Sequence, residues 1–284
     1  MNLRESSLPA GWYPRDSAEI SRFLSGTAKD CVQDNVQGAV QGAALAAIAP
    51  HAGWRYSGKI AAKAAASLDR TVETLVVIGG HLPAGYPPLF ALEDSVSTPL
   101  GAMTINNDLR AALYQELGGR EDRFPDNTVE VLLPMARFFL PEASLLWLRL
   151  PAELSSFDAG KAIAVAAKNL GYTTAVLAST DLTHYGPNYG FTPKGTGPDA
   201  LQWMREVNDR RFIEAVESGD PAAVLERAET DCSSCSAGAV LGAMGFASAA
   251  GLGPARLLQY GTSVDGIDGE VDSFVGYAAF AWEA

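Results

Sequence analysis

Short runs of Val, Ile, Leu and Ala alternate along this chain with longer amphipathic or alanine-rich stretches. The short runs have the length of buried strands and predict them at Ala43–Ala49, Thr74–Ile78, Ser144–Leu150, Thr173–Ala178, Arg256–Thr262 and Ser273–Phe280. The longer stretches predict helices over Ala18–Leu24, Gly58–Leu68, Asp108–Leu117, Ser156–Leu170, Asp199–Glu217, Pro221–Ala228 and Ala237–Ala250. Strands interleaved with helices build an α/β fold, a central mostly parallel or mixed sheet flanked by helices. Residues 1–284 read as one domain.

Two segments depart from the alternation. Between Pro83 and Asn106 the chain, with Leu89–Pro99 at its centre, is an extended excursion broken by prolines, which predicts a hairpin at a sheet edge. Gly186–Pro198 holds four glycines and three prolines and predicts a long irregular loop, placed beside His184 as a lid would be.

Composition narrows the function classes. With 48% apolar and 19% charged residues, the chain can bury a large core. A net charge of −12 with no basic run argues against nucleic acid or an anionic membrane surface as partner. The apolar windows are far shorter than the roughly 20 residues that cross a bilayer. The first nine residues lack the apolar stretch of a secretion signal, and the odd count of three cysteines does not suit a secreted disulfide framework, so the cytoplasm is the expected compartment.

The three histidines share one context. His51 follows Ala-Ile-Ala-Pro, His81 follows Val-Ile-Gly-Gly, and His184 follows Ser-Thr-Asp181-Leu-Thr, each just after a predicted strand. A lone histidine there is more often a surface residue than a ligand. Three at the carboxyl ends of parallel strands, where ligands of open α/β sheets bind, point instead to a shared site. Neutral imidazole suits Fe, Zn or Cu, and two histidines plus one anion leave positions open for oxygen chemistry. The anion is a carboxylate or a thiolate, and Asp231-Cys232-Ser-Ser-Cys235-Ser supplies a thiol just before a helix. Read alone, the Cys-x-x-Cys spacing equally fits half a zinc site, a redox pair or two packed cysteines. Asp181 and His184 form a candidate acid/base pair in which the carboxylate orients the imidazole. Nothing resembles a Gly-x-Ser-x-Gly elbow, a phosphate-binding loop or a dinucleotide fingerprint, although a Cys232–His184 thiol hydrolase or redox protein stays open.

At these residues the chain resembles the Memo family, whose bacterial members are called AmmeMemoRadiSam system protein B, and which is similar in fold to class III extradiol dioxygenases. Leu8-Pro-Ala-Gly-Trp-Tyr-Pro-Arg-Asp16, Ala49-Pro-His51-Ala-Gly-Trp-Arg-Tyr-Ser-Gly58, Ser179-Thr-Asp181-Leu-Thr-His184-Tyr-Gly186, Tyr260-Gly-Thr-Ser263 and Val275-Gly-Tyr-Ala-Ala279 carry the resemblance across nearly the whole chain. It implies His51, His81 and Cys232 as metal ligands, with Cys235 as the other candidate thiol. His184 and Asp181 would be catalytic, and Glu130, Asn127, Tyr185 and Cys235 would contact substrate. Fe(II) is the metal implied first, with copper or zinc next. The implied activity is dioxygenase-like, on a small aromatic or catechol-like molecule. The resemblance also admits a non-catalytic binding protein for a phosphopeptide, a metal or a partner protein, and a radical SAM enzyme as pathway partner. The family has a histidine pair where this chain reads Gly80-His81, and His-Ser-x-Glu-x-Gln-Leu-Pro where it reads Asn127-Thr-Val-Glu130-Val-Leu-Leu-Pro134.

Overall fold

The computed structural model describes residues 2–33, 43–267 and 271–283, and in it the apolar runs pair into one large sheet. The strands are β1 (Leu3–Arg4), β2 (Ala44–Ala49), β3 (Thr74–Leu82), β4 (Leu89–Phe90), β5 (Ser95–Val96), β6 (Met103–Thr104), β7 (Arg120–Glu121), β8 (Ser144–Pro151), β9 (Thr174–Ser179), β10 (His184–Tyr185), β11 (Arg256–Thr262) and β12 (Phe274–Glu283). The helices are α1 (Ser17–Gln33), α2 (Trp54–Ser67), α3 (Asn107–Glu116), α4 (Asn127–Glu130), α5 (Leu133–Phe139), α6 (Ser155–Leu170), α7 (Pro198–Trp203), α8 (Asp209–Ser218), α9 (Pro221–Thr230) and α10 (Ala237–Ala250).

The sheet runs β10-β12-β2-β9-β3-β8-β4-β7, with β11 paired to β12. Its centre, β2, β9, β3 and β8, is parallel, while β12 and β4 join antiparallel at either side, so the sheet is mixed. Period-two alternation sorts the side chains of each central strand between two buried faces. Leu75 and Val77 of β3, Ala175 and Leu177 of β9, and Leu145 and Trp147 of β8 face the core shared with α2 and α5. Val76, Ile78, Val176, Ala178, Leu146 and Leu148 face the opposite core, with α6 and α10. Small residues let α6 and α10 touch backbone to backbone: a methyl on Gly160 would stand 2.8 Å from the Phe246 nitrogen. This contact seats the amino end of α10 at the carboxyl edge of the parallel strands.

Two expectations about local structure are corrected. Leu89–Pro99 is not a hairpin. Leu89–Phe90 adds to the sheet edge, whereas Ser95–Val96 leaves it for a separate three-stranded sheet with β1 and β6, because a bend at Glu93-Asp94 turns the chain out of the ladder. The helix expected over Asp199–Glu217 is interrupted by a π-helical turn at Met204–Asn208, which separates α7 from α8. Among the described residues, no helix is long and apolar enough to cross a membrane.

Candidate metal centre

His51 directly follows β2, and its ring is buried. Its backbone N–H donates to Asp181 Oδ1 (2.8 Å), and its carbonyl accepts from Asn127 Nδ2 (2.9 Å), which fixes the turn after Pro50. The Ser179 hydroxyl donates to the Thr128 carbonyl, so its oxygen is left to accept from His51 Nδ1 at 2.9 Å. This arrangement selects the tautomer with a free Nε2, which faces the Cys235 sulfur at 3.2 Å.

His81 reaches the same point by a different device. Between Gly79 and Leu82 the register of β3 against β8 slips by one residue, and His81 takes a left-handed φ of 57°. A bulge of this kind re-aims a side chain at some conformational cost. The ring stands edge-on to that of His51, with centroids 4.9 Å apart. Its Nδ1 is 3.2 Å from Asp126 Oδ2, and Asp126 is held in turn by Arg149 Nη2 at 3.1 Å. Arg149 also bonds Asp122 (3.2 Å) and the Gly80 carbonyl (3.0 Å), so a buried ionic network sets where His81 stands.

The third donor is Cys235. One donor atom from each of His51, His81 and Cys235 lies within 4.8 Å of the other two. The Cys235 N–H donates to the Asp181 carbonyl (3.2 Å), and the Asp181 N–H approaches the Cys235 sulfur at 3.3 Å. The expected ligand Cys232 is corrected: it is exposed, at a left-handed φ of 50°, and outside the cluster. Cys235 is one residue from the Ser236 cap of α10 and is fixed with that helix, whereas Ser233, bonded to the Arg227 carbonyl, ties the preceding turn to α9 and leaves Cys232 outward. Among the described residues Cys232 makes no hydrogen bond to a histidine, so the Cys232–His184 pairing is not formed.

The three donors shift one another's proton affinities. Burial alone would raise the Cys235 thiol, but the facing imidazoles, His51 foremost, hold it well below its ordinary range. Burial opposes charge on His81, yet the Asp126 carboxylate and then the Cys235 sulfur raise it to about 10, while the sulfur and Asp181 raise His51. A thiolate between two imidazoles is a donor set that a borderline or soft divalent ion satisfies by displacing protons.

His51 and His81 line a pocket of about 580 Å³, walled by Trp12, Tyr56, Tyr189 and Tyr277, with the Cys235 sulfur behind His51. Asp181, Asn127 and His184 line it too. Asp181 is buried, and burial first, then the Cys235 sulfur, push its carboxyl up against the opposing pull of His51. The structure corrects the idea that Asp181 orients His184. That role belongs to the Leu182 carbonyl, 3.1 Å from His184 Nδ1, while Tyr189 from the Gly186–Pro198 loop packs edge-on against the ring at 5.1 Å.

Two expected contact residues lie elsewhere. Glu130 is buried with its carboxylate filled by Ser7, by the Leu8 N–H (3.0 Å) and by the Tyr13 hydroxyl (2.9 Å), so it anchors the N-terminal segment. Tyr185 points the other way along β10, stacks on Phe274 at 4.9 Å, and donates to the Gly195 carbonyl, which pins the base of the loop. Sequence reading missed Ser179, Asp126, Tyr56, Tyr189 and Tyr277. The hydroxyl and the carboxylate act one bond away from the donors and the tyrosines are scattered along the chain, so no local spacing marks them.

The chain is 30% identical to a MEMO1 family protein of Methanopyrus kandleri, across 98% of each chain, and 30% identical to one of Thermococcus onnurineus, across 99% of each. The crystal structure of an uncharacterized protein from Escherichia coli K12 aligns with 82% of this chain and 98% of its own at a TM-score of 0.41 and 12% identity, a likeness too slight to bear on fold or activity. Residues 4–281 match the family model described as Memo-like protein, and with that match spanning nearly its whole length, this chain belongs to the Memo family.

Proposed function

We propose that this protein is a metal-dependent oxidoreductase of the dioxygenase type, which holds Fe(II) through His51, His81 and Cys235 and acts on a small aromatic, catechol-like molecule. The observation that carries the reading is the convergence of two imidazoles and one thiolate, within 4.8 Å of one another, beside an aromatic-walled pocket that both imidazoles line. Two neutral nitrogens and one anion suit Fe(II) and leave coordination positions open; copper and zinc accept the same donors. Ferrous iron in such a site supplies the electron chemistry by which dioxygen and an aromatic diol react.

The remaining work falls to the chain. Ser179 and Asp126 keep the imidazoles aimed and raise their basicity. Trp12, Tyr56, Tyr189 and Tyr277 offer faces against which a ring packs and from which water is excluded. Because the Leu182 carbonyl occupies Nδ1, His184 presents Nε2 to the pocket and can take a substrate hydroxyl proton there. Asp181, buried beside it, supports a proton on its carboxyl and can return one.

Anaerobic loading with Fe(II), followed by oxygen-uptake measurements with a panel of catechols, tests the reading. Wild type is expected to take up oxygen when a catechol is added, His184→Ala to lose about 10²–10⁴-fold of that rate, Cys235→Ser to lose iron, and Cys232→Ser to keep it. Full iron stoichiometry in Cys235→Ser would refute the ligand assignment. Catechol binding by iron-replete protein without oxygen uptake would identify a binding protein instead.

A further inference from the structure

Beside the metal pocket lies a second cavity of about 490 Å³, between the first turns of α2 and the end of β11 with the turn that follows. Tyr56, Ser263 and Ile267 line both cavities, so one elongated molecule can occupy them together by crossing the Tyr56 ring.

Arg55 and Lys59 line the second cavity from one face of α2, four residues apart and exposed. Among the described residues neither has a carboxylate partner; Arg55 has the Tyr56 ring, 6.0 Å away, and Lys59 nothing. Among the described residues no carboxylate rewards this placement. Like charges four apart on a helix repel, and cations near a helix N-terminus oppose its dipole. Other arginines of this acidic chain do have carboxylate partners, as in Arg4–Glu93, Arg149–Asp126 and Arg256–Glu283. The carboxylate that does line the cavity, Asp265, is already engaged by Arg205 and by the Thr262 N–H at 2.7 Å. The side-chain oxygen of Gln259, another lining residue, is buried without a hydrogen-bond partner.

We propose that this cavity is the subsite for an oxyanion, carboxylate or phosphate, carried on an arm of the aromatic molecule whose ring enters the metal pocket; the assignment of the ring rests on the function proposed above. Arg55 supplies a planar fork that fits two oxygens, and Lys59 adds a mobile point charge one turn along. Substrate choice is then set by the two cations, while the metal pocket sets the chemistry.

Calorimetric titration of the whole protein, both metal-free and Fe(II)-loaded, tests this with hydrocaffeate, a homologue with a longer acyl chain, the amide of each, and the phosphate monoester of hydroxytyrosol. Wild type is expected to bind at least one acid or the phosphate about tenfold or more tightly than the matching amide, and the preference should shrink as salt rises. The tighter of the carboxylate and phosphate series identifies the natural oxyanion. In Arg55→Gln/Lys59→Gln, two exposed changes that leave the core intact, acid and amide should bind alike with the amide affinity unchanged. Equal affinity for acid and amide in wild type, a preference that survives in the double variant, or failure of every anion to bind at millimolar concentration would overturn the proposal. An anion preference in metal-free protein, with no oxygen uptake after iron loading, would retain the subsite and sink the oxidoreductase reading; oxygen uptake without an anion preference would do the reverse.

Discussion

Replacing Gly80 with alanine should weaken metal binding at the proposed site while leaving the protein folded. Gly80 lies in the bulged end of β3, next to His81, and packs face to face with the residue after Cys235. A methyl there would stand 2.9 Å from Ser236 Cα and 2.5 Å from its Oγ, against ordinary contact that begins near 3.4 Å. The Ser236 hydroxyl can turn away, but Cβ, the atom nearest the added methyl, is fixed by the backbone, so the backbone itself has to move. It must retreat by at least 0.5 Å, the difference between 2.9 and 3.4 Å, and Cys235 goes with it. Metal sites tolerate about 0.2 Å in their bond lengths, so the displacement exceeds what the site absorbs. The expected loss of affinity is about 10–100-fold, the size seen when the groups that support metal ligands are disturbed. The accompanying overpacking should cost about 1–3 kcal/mol of stability. Chelator competition monitored by elemental analysis gives the affinity, and urea denaturation of the metal-free protein gives the stability. Gly26→Ala is the control: it lies in α1 with nothing within 4 Å of its added methyl, and should be neutral or stabilising by up to about 1 kcal/mol. Wild-type metal affinity in Gly80→Ala would refute the claim that the close approach of β3 to the α10 cap assembles the site.

Two further outcomes follow from residues away from the donors. Glu130→Ala leaves the donors of Ser7, Leu8 and Tyr13 without their acceptor, so it should lower stability by about 3 kcal/mol in urea denaturation yet leave metal stoichiometry unchanged; loss of metal with intact stability would return Glu130 to the site. Burial raises the Asp209 carboxyl from 3.8 to about 6, although Thr183 and Tyr260 donate to it. A carboxyl raised in the folded state stabilises below its unfolded value, and that contribution is lost as pH rises through the folded one. Stability measured against Asp209→Asn, which cannot titrate, should therefore fall by about 2 kcal/mol between about pH 4.5 and 7. A flat difference would show that Asp209 stays ionised.

Much of the fold was legible in the chain because its signals are local. The apolar runs of β3, β8 and β9 lie within a few residues of their expected bounds, and the α10 segment Ala237–Ala250 begins and ends where its composition predicts. Alternation along a strand and the stop imposed by glycine need no distant partner to be read. The interruption at Met204–Asn208 was not legible, because an extra residue in a helical turn is selected by what Asn208 reaches, the Thr183 hydroxyl and the Asp231 carbonyl. Glu130 shows the same limit in a side chain, since its partners Ser7, Leu8 and Tyr13 lie more than a hundred residues away.

The sequence by itself determined that His51, His81 and His184 would stand at the carboxyl ends of strands, and that a thiol would stand just ahead of a helix. It did not determine which thiol. Cys232 and Cys235 are three residues apart with the same neighbours in composition, and the difference between an exposed sulfur and one 3.2 Å from His51 Nε2 is made by the seat of α10 against α6 and the edge of the sheet. Tertiary structure likewise decided the aim of His81, through a one-residue slip in β3, and divided the histidines into two that share a sulfur and one that faces the pocket across Tyr189. Chain-local patterns fix where a residue sits along its own element, whereas the point on which side chains converge is set by the packing of elements far apart in sequence.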